Sequence, residues 1–106
     1  MASVAPDVLM RQIAGGAAPA IVDVRSKKEF DAGHVPGAVH IPFWLAGRRC
    51  QELASMRERP VVIYCGHGPR AYLAGAAFAR CGFTQVVYLA GHMKRWRELN
   101  LPLEGE

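Results

Sequence analysis

Val61-Val62-Ile63-Tyr64-Cys65-Gly66-His67-Gly68-Pro69-Arg70-Ala71 is the stretch on which the fold turns. Its first four residues are apolar and mostly β-branched, a run too short for an ordinary helix, and they read as a strand covered on both faces. Cys65 stands where that strand stops. Gly66 and Gly68 allow the backbone to curl with its N–H groups turned inward, and Pro69 suits the first turn of a helix because it has no N–H to leave unpaired. Strand, tight loop and helix start follow one another, with a cysteine at the first junction.

Working outward, Ala71–Arg80 reads as an alanine-rich helix stopped by Gly82, its small side chains allowing close approach to a sheet. Gly75 inside it costs about 1 kcal/mol relative to alanine, which points to tight packing there. Gln85–Leu89 is a further strand, and Gly91–Leu99 a last helix with Met93, Trp96 and Leu99 turned toward the body. Upstream, Ala20–Val24 is a strand followed by Arg25, and Ser26-Lys27-Lys28-Glu29 has the form of a capping box that opens a short helix ended by Gly33. Ala38–Ile41 is a strand ended by Pro42, and Pro6–Ala14 a first helix with Gly15-Gly16 behind it. Ala46, Cys50, Leu53 and Ala54 fall on one helical stripe, which makes Cys50 a core residue of a helix there.

Strand and helix alternate through most of the chain, the pattern of an α/β fold with a parallel sheet covered by helices on both faces. In such sheets, sites form beyond the carboxyl ends of strands. Cys65 lies at one such end and Asp23-Val24-Arg25 at another, so the two can be neighbours in space.

The 106 residues suit one domain over 1–106, and a composition 51% hydrophobic and 21% charged is that of a globular chain. The net charge of +4 either favours anionic small molecules or partners or is background, while the basic residues are too scattered for a nucleic-acid surface. No apolar run approaches the roughly 18 residues of a membrane span, and no secretory leader is recognisable. Cys50, Cys65 and Cys81 are far apart with no C-x-x-C spacing, so neither a disulfide nor a zinc site is expected. Their odd number fits a reducing compartment, and the cytoplasm is the expected location.

The loop can activate its thiol. The thiolate, not the thiol, is the nucleophile. The N–H groups after Cys65, the positive end of the following helix and the charge of Arg70 all favour that anion. The same donors suit a persulfide or a bound oxyanion, so sulfur or anion transfer through a covalent intermediate is within reach.

Cys65-Gly66-His67-Gly68-Pro69-Arg70 resembles the active-site loop of the rhodanese family, the thiosulfate sulfurtransferases. Ile21-Val22-Asp23-Val24-Arg25, Glu29-Phe30 and Gly33-His34-Val35-Pro36-Gly37-Ala38 resemble the family's first signature. Tyr88-Leu89-Ala90-Gly91 through Trp96, followed by Leu101-Pro102, resembles its closing one. The resemblance implies a rhodanese-like three-layer α/β/α sandwich with a mainly parallel sheet of about five strands. It also implies a two-step reaction in which Cys65 takes a sulfane sulfur from a small anionic donor such as thiosulfate and passes the persulfide sulfur to cyanide, a thiol or a protein cysteine. The alternative is a persulfide carrier or regulatory interaction module with little small-molecule turnover. No metal or organic cofactor, nucleic acid or membrane is implied. Gly66, His67, Gly68, Pro69 and Arg70 carry over as the sulfur-binding ring; Asp23 and Arg25 either orient the loop or pair with their neighbours.

Four residues separate Cys65 from Arg70, one fewer than in phosphatases and arsenate reductases of similar scaffold, and the shorter ring suits a sulfur atom. His67 either lends positive charge to a bound anion or faces solvent. His92 stands where the family commonly has a second glycine after Gly91; it is read as an exposed helix-start residue, with contact at the pocket mouth as the alternative. His34 and His40 read as structural, and Cys81 as a packing residue.

Overall fold

The computed structural model describes residues 1–105, so the expected domain end at residue 106 lies outside the described residues. Strands β1 (Ala2–Val4), β2 (Ala20–Asp23), β3 (Val39–His40), β4 (Val61–Tyr64) and β5 (Val86–Leu89) form one sheet in the order β1-β5-β4-β2-β3. Every neighbouring pair is parallel. The expected α/β sandwich with a five-stranded sheet is thus present. Its one unforeseen strand is β1, an edge piece pairing Ser3 with Tyr88; three residues are too few to show a period.

The helices are α1 (Pro6–Ala14), α2 (Lys27–Asp31), α3 (Ala46–Arg49), α4 (Pro69–Arg80) and α5 (His92–Glu98). Central β4 shows why its residues are apolar without a break. Successive strand side chains point to opposite faces. Val61, Ile63 and then Cys65 pack with Ala46 of α3 and Ala71, Ala74 and Phe78 of α4. Val62 and Tyr64 pack on the other side with Leu9 of α1 and Met93 and Trp96 of α5.

The local signals at α2 and α4 hold. Ser26 Oγ accepts from Glu29 N while Glu29 Oε1 accepts from Ser26 N, a complete capping box. Gly75 is buried directly against the Tyr88 ring and hydroxyl, where any Cβ would collide, which accounts for a glycine inside a helix.

Other expectations need correction. The helix expected over Ala46–Ala54 is broken: α3 lies between 3-10 turns at Phe43–Leu45 and Cys50–Met56, and Leu53 leaves helical geometry with φ −113° and ψ 22°. The segment has no side-chain N-cap, and its middle is tethered. That tether overturns the expectation of no disulfide, because Cys50 is bonded to Cys81. The two are 31 residues apart, a separation that carries no motif; they meet because α3 packs against α4. Cys50 is buried as its stripe requires, but as half of a cross-link. One free cysteine remains, Cys65, so the odd count no longer argues for a reducing compartment. Leu99, expected inward, is 39% exposed.

Candidate active site

Between the end of β4 at Tyr64 and the start of α4 at Pro69, the chain turns through Cys65, Gly66, His67 and Gly68. Gly68 takes φ +140°, a region open in practice only to glycine, and a Cβ there would press on the Tyr72 ring at 3.2 Å. That turn brings Gly68 N to donate to Cys65 Sγ at 3.0 Å. Cys65 itself has no exposed surface. Burial alone would raise its pKa, but the His92 imidazole and the N–H groups of Ala71, Gly68 and His67 outweigh it and bring the thiol from 9.0 down to about 7.

The start of α5 clamps this loop from the other side. Met93 N donates to Cys65 O at 3.0 Å and Lys94 N to Gly66 O at 3.1 Å. Cys65 N donates to His92 Nδ1 at 3.2 Å. His92 is therefore not the exposed helix-start residue expected from sequence: it is 4% exposed. The physical reason is a pair of left-handed residues, Gly91 at φ 75° and His92 at φ 55°, which turn the imidazole inward beneath the loop. A non-glycine residue held there stores strain on the order of 1 kcal/mol.

Asp23 and Arg25 meet beside the loop, as their strand-end positions allow, and they pair chiefly with each other. Asp23 accepts from Arg25 N at 2.9 Å, from Arg25 Nη2 at 2.8 Å and from Tyr64 Oη at 2.7 Å. Arg25 Nη2 also donates to Gly33 O at 2.8 Å, and Tyr64 Oη accepts from Val35 N at 3.0 Å. Burial and then the Asp23 charge push the Tyr64 phenol well above its ordinary range, so it stays a donor. Arg70 reaches back past Gly66 to Glu29, donating through Nη1 at 2.6 Å and Nη2 at 3.1 Å. This pairing holds the Glu29 carboxyl at about 2, well below the carboxylate range.

The expected residues Gly66 and His67 line a hollow of about 490 Å³ with Arg25, Met93, Lys94 and Arg97. A larger hollow of about 680 Å³ sits at the opposite ends of the strands, between Pro19, Ala20 and Pro60, and is lined by none of the candidate residues. Glu29, Tyr64 and the buried His92 join the site beyond the residues expected there. Glu29 is legible in the chain as a helix cap and as part of the stretch that resembles the family's first signature, and Tyr64 as a strand residue. His92 offered one signal, a bulky residue after Gly91 where the resembled pattern has glycine.

Comparison with known proteins bears on the family and the fold. The rhodanese-like domain model matches residues 5–99, and the chain belongs to that family. It is 35% identical over 83 residues to a sulfurtransferase of Allochromatium vinosum, covering 78% of this chain and 76% of that protein. It is 34% identical over 76 residues to the putative sulfur carrier protein YrkF of Bacillus subtilis, covering 72% of this chain but 40% of the relative. The solution structure of the rhodanese-like domain of the Anabaena protein Alr3790 superposes with a TM-score of 0.85 at 26% identity, over all of this chain and 80% of that one. Family and relatives support sulfur transfer in general.

Proposed function

We propose that residues 1–106 form a single sulfurtransferase domain in which Cys65 carries a sulfane sulfur as a persulfide. The observation that bears most of the weight is the Sγ of the one free cysteine held at 3.0 Å from Gly68 N in a ring of N–H donors. With its pKa at about 7 the thiol is roughly half ionised at neutral pH. The thiolate attacks the outer sulfur of a donor such as thiosulfate, the S–S bond breaks, and sulfite leaves with the electron pair. An acceptor thiolate, protein cysteine or cyanide then attacks the outer sulfur of the persulfide, and Cys65 thiolate is released. The N–H groups of His67, Gly68 and Ala71, which favour the Cys65 thiolate, also suit the negative persulfide sulfur. Lys94 and Arg97 at the hollow favour an anionic donor.

Incubation with thiosulfate and cyanide is expected to yield thiocyanate, and intact mass spectrometry to show one added sulfur, both lost in Cys65→Ser. An undiminished Cys65→Ser variant overturns the proposal. The carrier alternative draws support from the relative named as a putative sulfur carrier and from the full burial of Cys65. It is distinguished by sulfur gain on Cys65 with negligible thiocyanate. The proposal places this chemistry in the cytoplasm, where thiol acceptors are abundant; the Cys50–Cys81 bond pulls the other way, since cytosolic thiols are kept reduced. Trapping free thiols in intact cells decides: three trapped cysteines support the cytoplasm, and one trapped cysteine removes it.

A further inference from the structure

We propose that His92 is a positioning residue for Cys65. By accepting the Cys65 N–H at Nδ1 from a left-handed backbone position, it fixes the first turn of the loop so that Sγ meets its ring of N–H donors. This rests on the sulfur-transfer reading for its consequence, but not for its geometry.

Three observations converge on the imidazole. It is almost fully buried, although it opens a helix and carries a polar ring. It occupies a backbone conformation that side chains rarely adopt, at φ 55°. Its Nδ1 is the partner of the N–H of the one free cysteine. Met93 N and Lys94 N hold the next two loop carbonyls, those of Cys65 and Gly66, so α5 fastens the loop on both its donor and its acceptor sides. Buried N–H groups are nearly always paired. Without the imidazole, the Cys65 N–H loses its acceptor and the loop loses its reason to keep this curl. The Tyr72 ring of α4 packs against His92 in a T-shaped contact, with ring centroids 5.8 Å apart.

The titratable and charged groups around the pair come from several elements. His67 in the loop, Tyr72 of α4 and Tyr88 of β5 share a hollow with His92 and Met1. Arg70 with Glu29, and Asp23 with Arg25, are paired ions on the far side of the loop. Lys94 and Arg97 follow along α5.

The test is an ultraviolet titration of the Cys65 thiolate in the oxidised protein, where Cys50 and Cys81 do not titrate, with Cys65→Ser as the baseline. His92→Gly suits a positive φ and removes only the ring. It is expected to raise the midpoint by about one unit, a roughly tenfold loss of thiolate below the midpoint, and to slow the first sulfur transfer in proportion. His92→Asn tolerates the same backbone and offers Oδ1 as an acceptor for the Cys65 N–H, so it is expected to restore most of the shift. A His92→Gly variant that titrates like the wild type overturns the inference, as does a His92→Asn variant no better than glycine. The titration needs no sulfur donor. A wild type that takes up no sulfur while the shifts appear as stated therefore retires the sulfur-transfer reading and leaves the positioning role standing.

Discussion

Replacing Asp23 by asparagine keeps the shape of the side chain and removes its charge, and so isolates what the buried carboxylate contributes. Asp23 has no exposed surface and Arg25 only 4%, and among the described residues the guanidinium retains a single other hydrogen-bond partner, Gly33 O. Leaving a buried charge without its counter-ion costs about 3 to 5 kcal/mol, out of a total stability of about 5 to 15 kcal/mol for a domain of this kind. With a urea dependence of about 2 kcal/mol per molar, the unfolding midpoint of Asp23→Asn is expected to fall by about 1.5 to 2.5 M. The assay is urea denaturation followed by circular dichroism. Asp23→Asn with Arg25→Met removes both charges while the amide oxygen still accepts from one of the two buried donors, the residue 25 N–H or the Tyr64 hydroxyl, and its expected cost is smaller, about 1 to 3 kcal/mol, from the donor left without an acceptor. A single variant within about 1 kcal/mol of wild type, or a double variant as costly as the single one, would refute this reasoning.

Gly75→Ala gains about 1 kcal/mol of helix propensity but forces a Cβ into Tyr88, and overpacking of this kind costs about 1 to 3 kcal/mol. The variant is expected to lower the melting temperature in the wild-type background and to raise it once Tyr88→Val has opened the space. Reducing the Cys50–Cys81 bond, which spans 31 residues, releases a loop-closure entropy of about 3 to 4 kcal/mol; urea midpoints with and without reductant measure it, and Cys81→Ala should be insensitive to reductant. Glu29, at about 2 in the folded chain against 4.5 for the free carboxyl, contributes stability that is fully present above pH 4.5 and is lost as pH falls toward 2. The stability gap between wild type and Glu29→Gln, about 1 kcal/mol or less for so exposed a pair, should close over that window; a gap unchanged at low pH would count against the Arg70–Glu29 bond.

Much of this molecule is written locally. Four unbroken apolar residues require a strand covered on both faces, and β4 has α4 on one side and α5 on the other. Glycine, proline and the capping box act through their nearest neighbours, so the curl after Cys65, the start of α4 at Pro69 and the opening of α2 were all legible in the chain. The closeness of Asp23, Arg25 and Cys65 followed from a parallel sheet, which brings the carboxyl ends of strands to one side. What tertiary structure alone decided are pairings between residues far apart in sequence: Cys50 with Cys81, Arg70 with Glu29, Tyr64 with Asp23, and Cys65 with His92. Each depends on how two elements dock and on which way a side chain turns there, and neither is encoded in the spacing of either element. His92 shows the difference most clearly, because two successive left-handed residues turn inward a side chain that an ordinary helix start would leave in water.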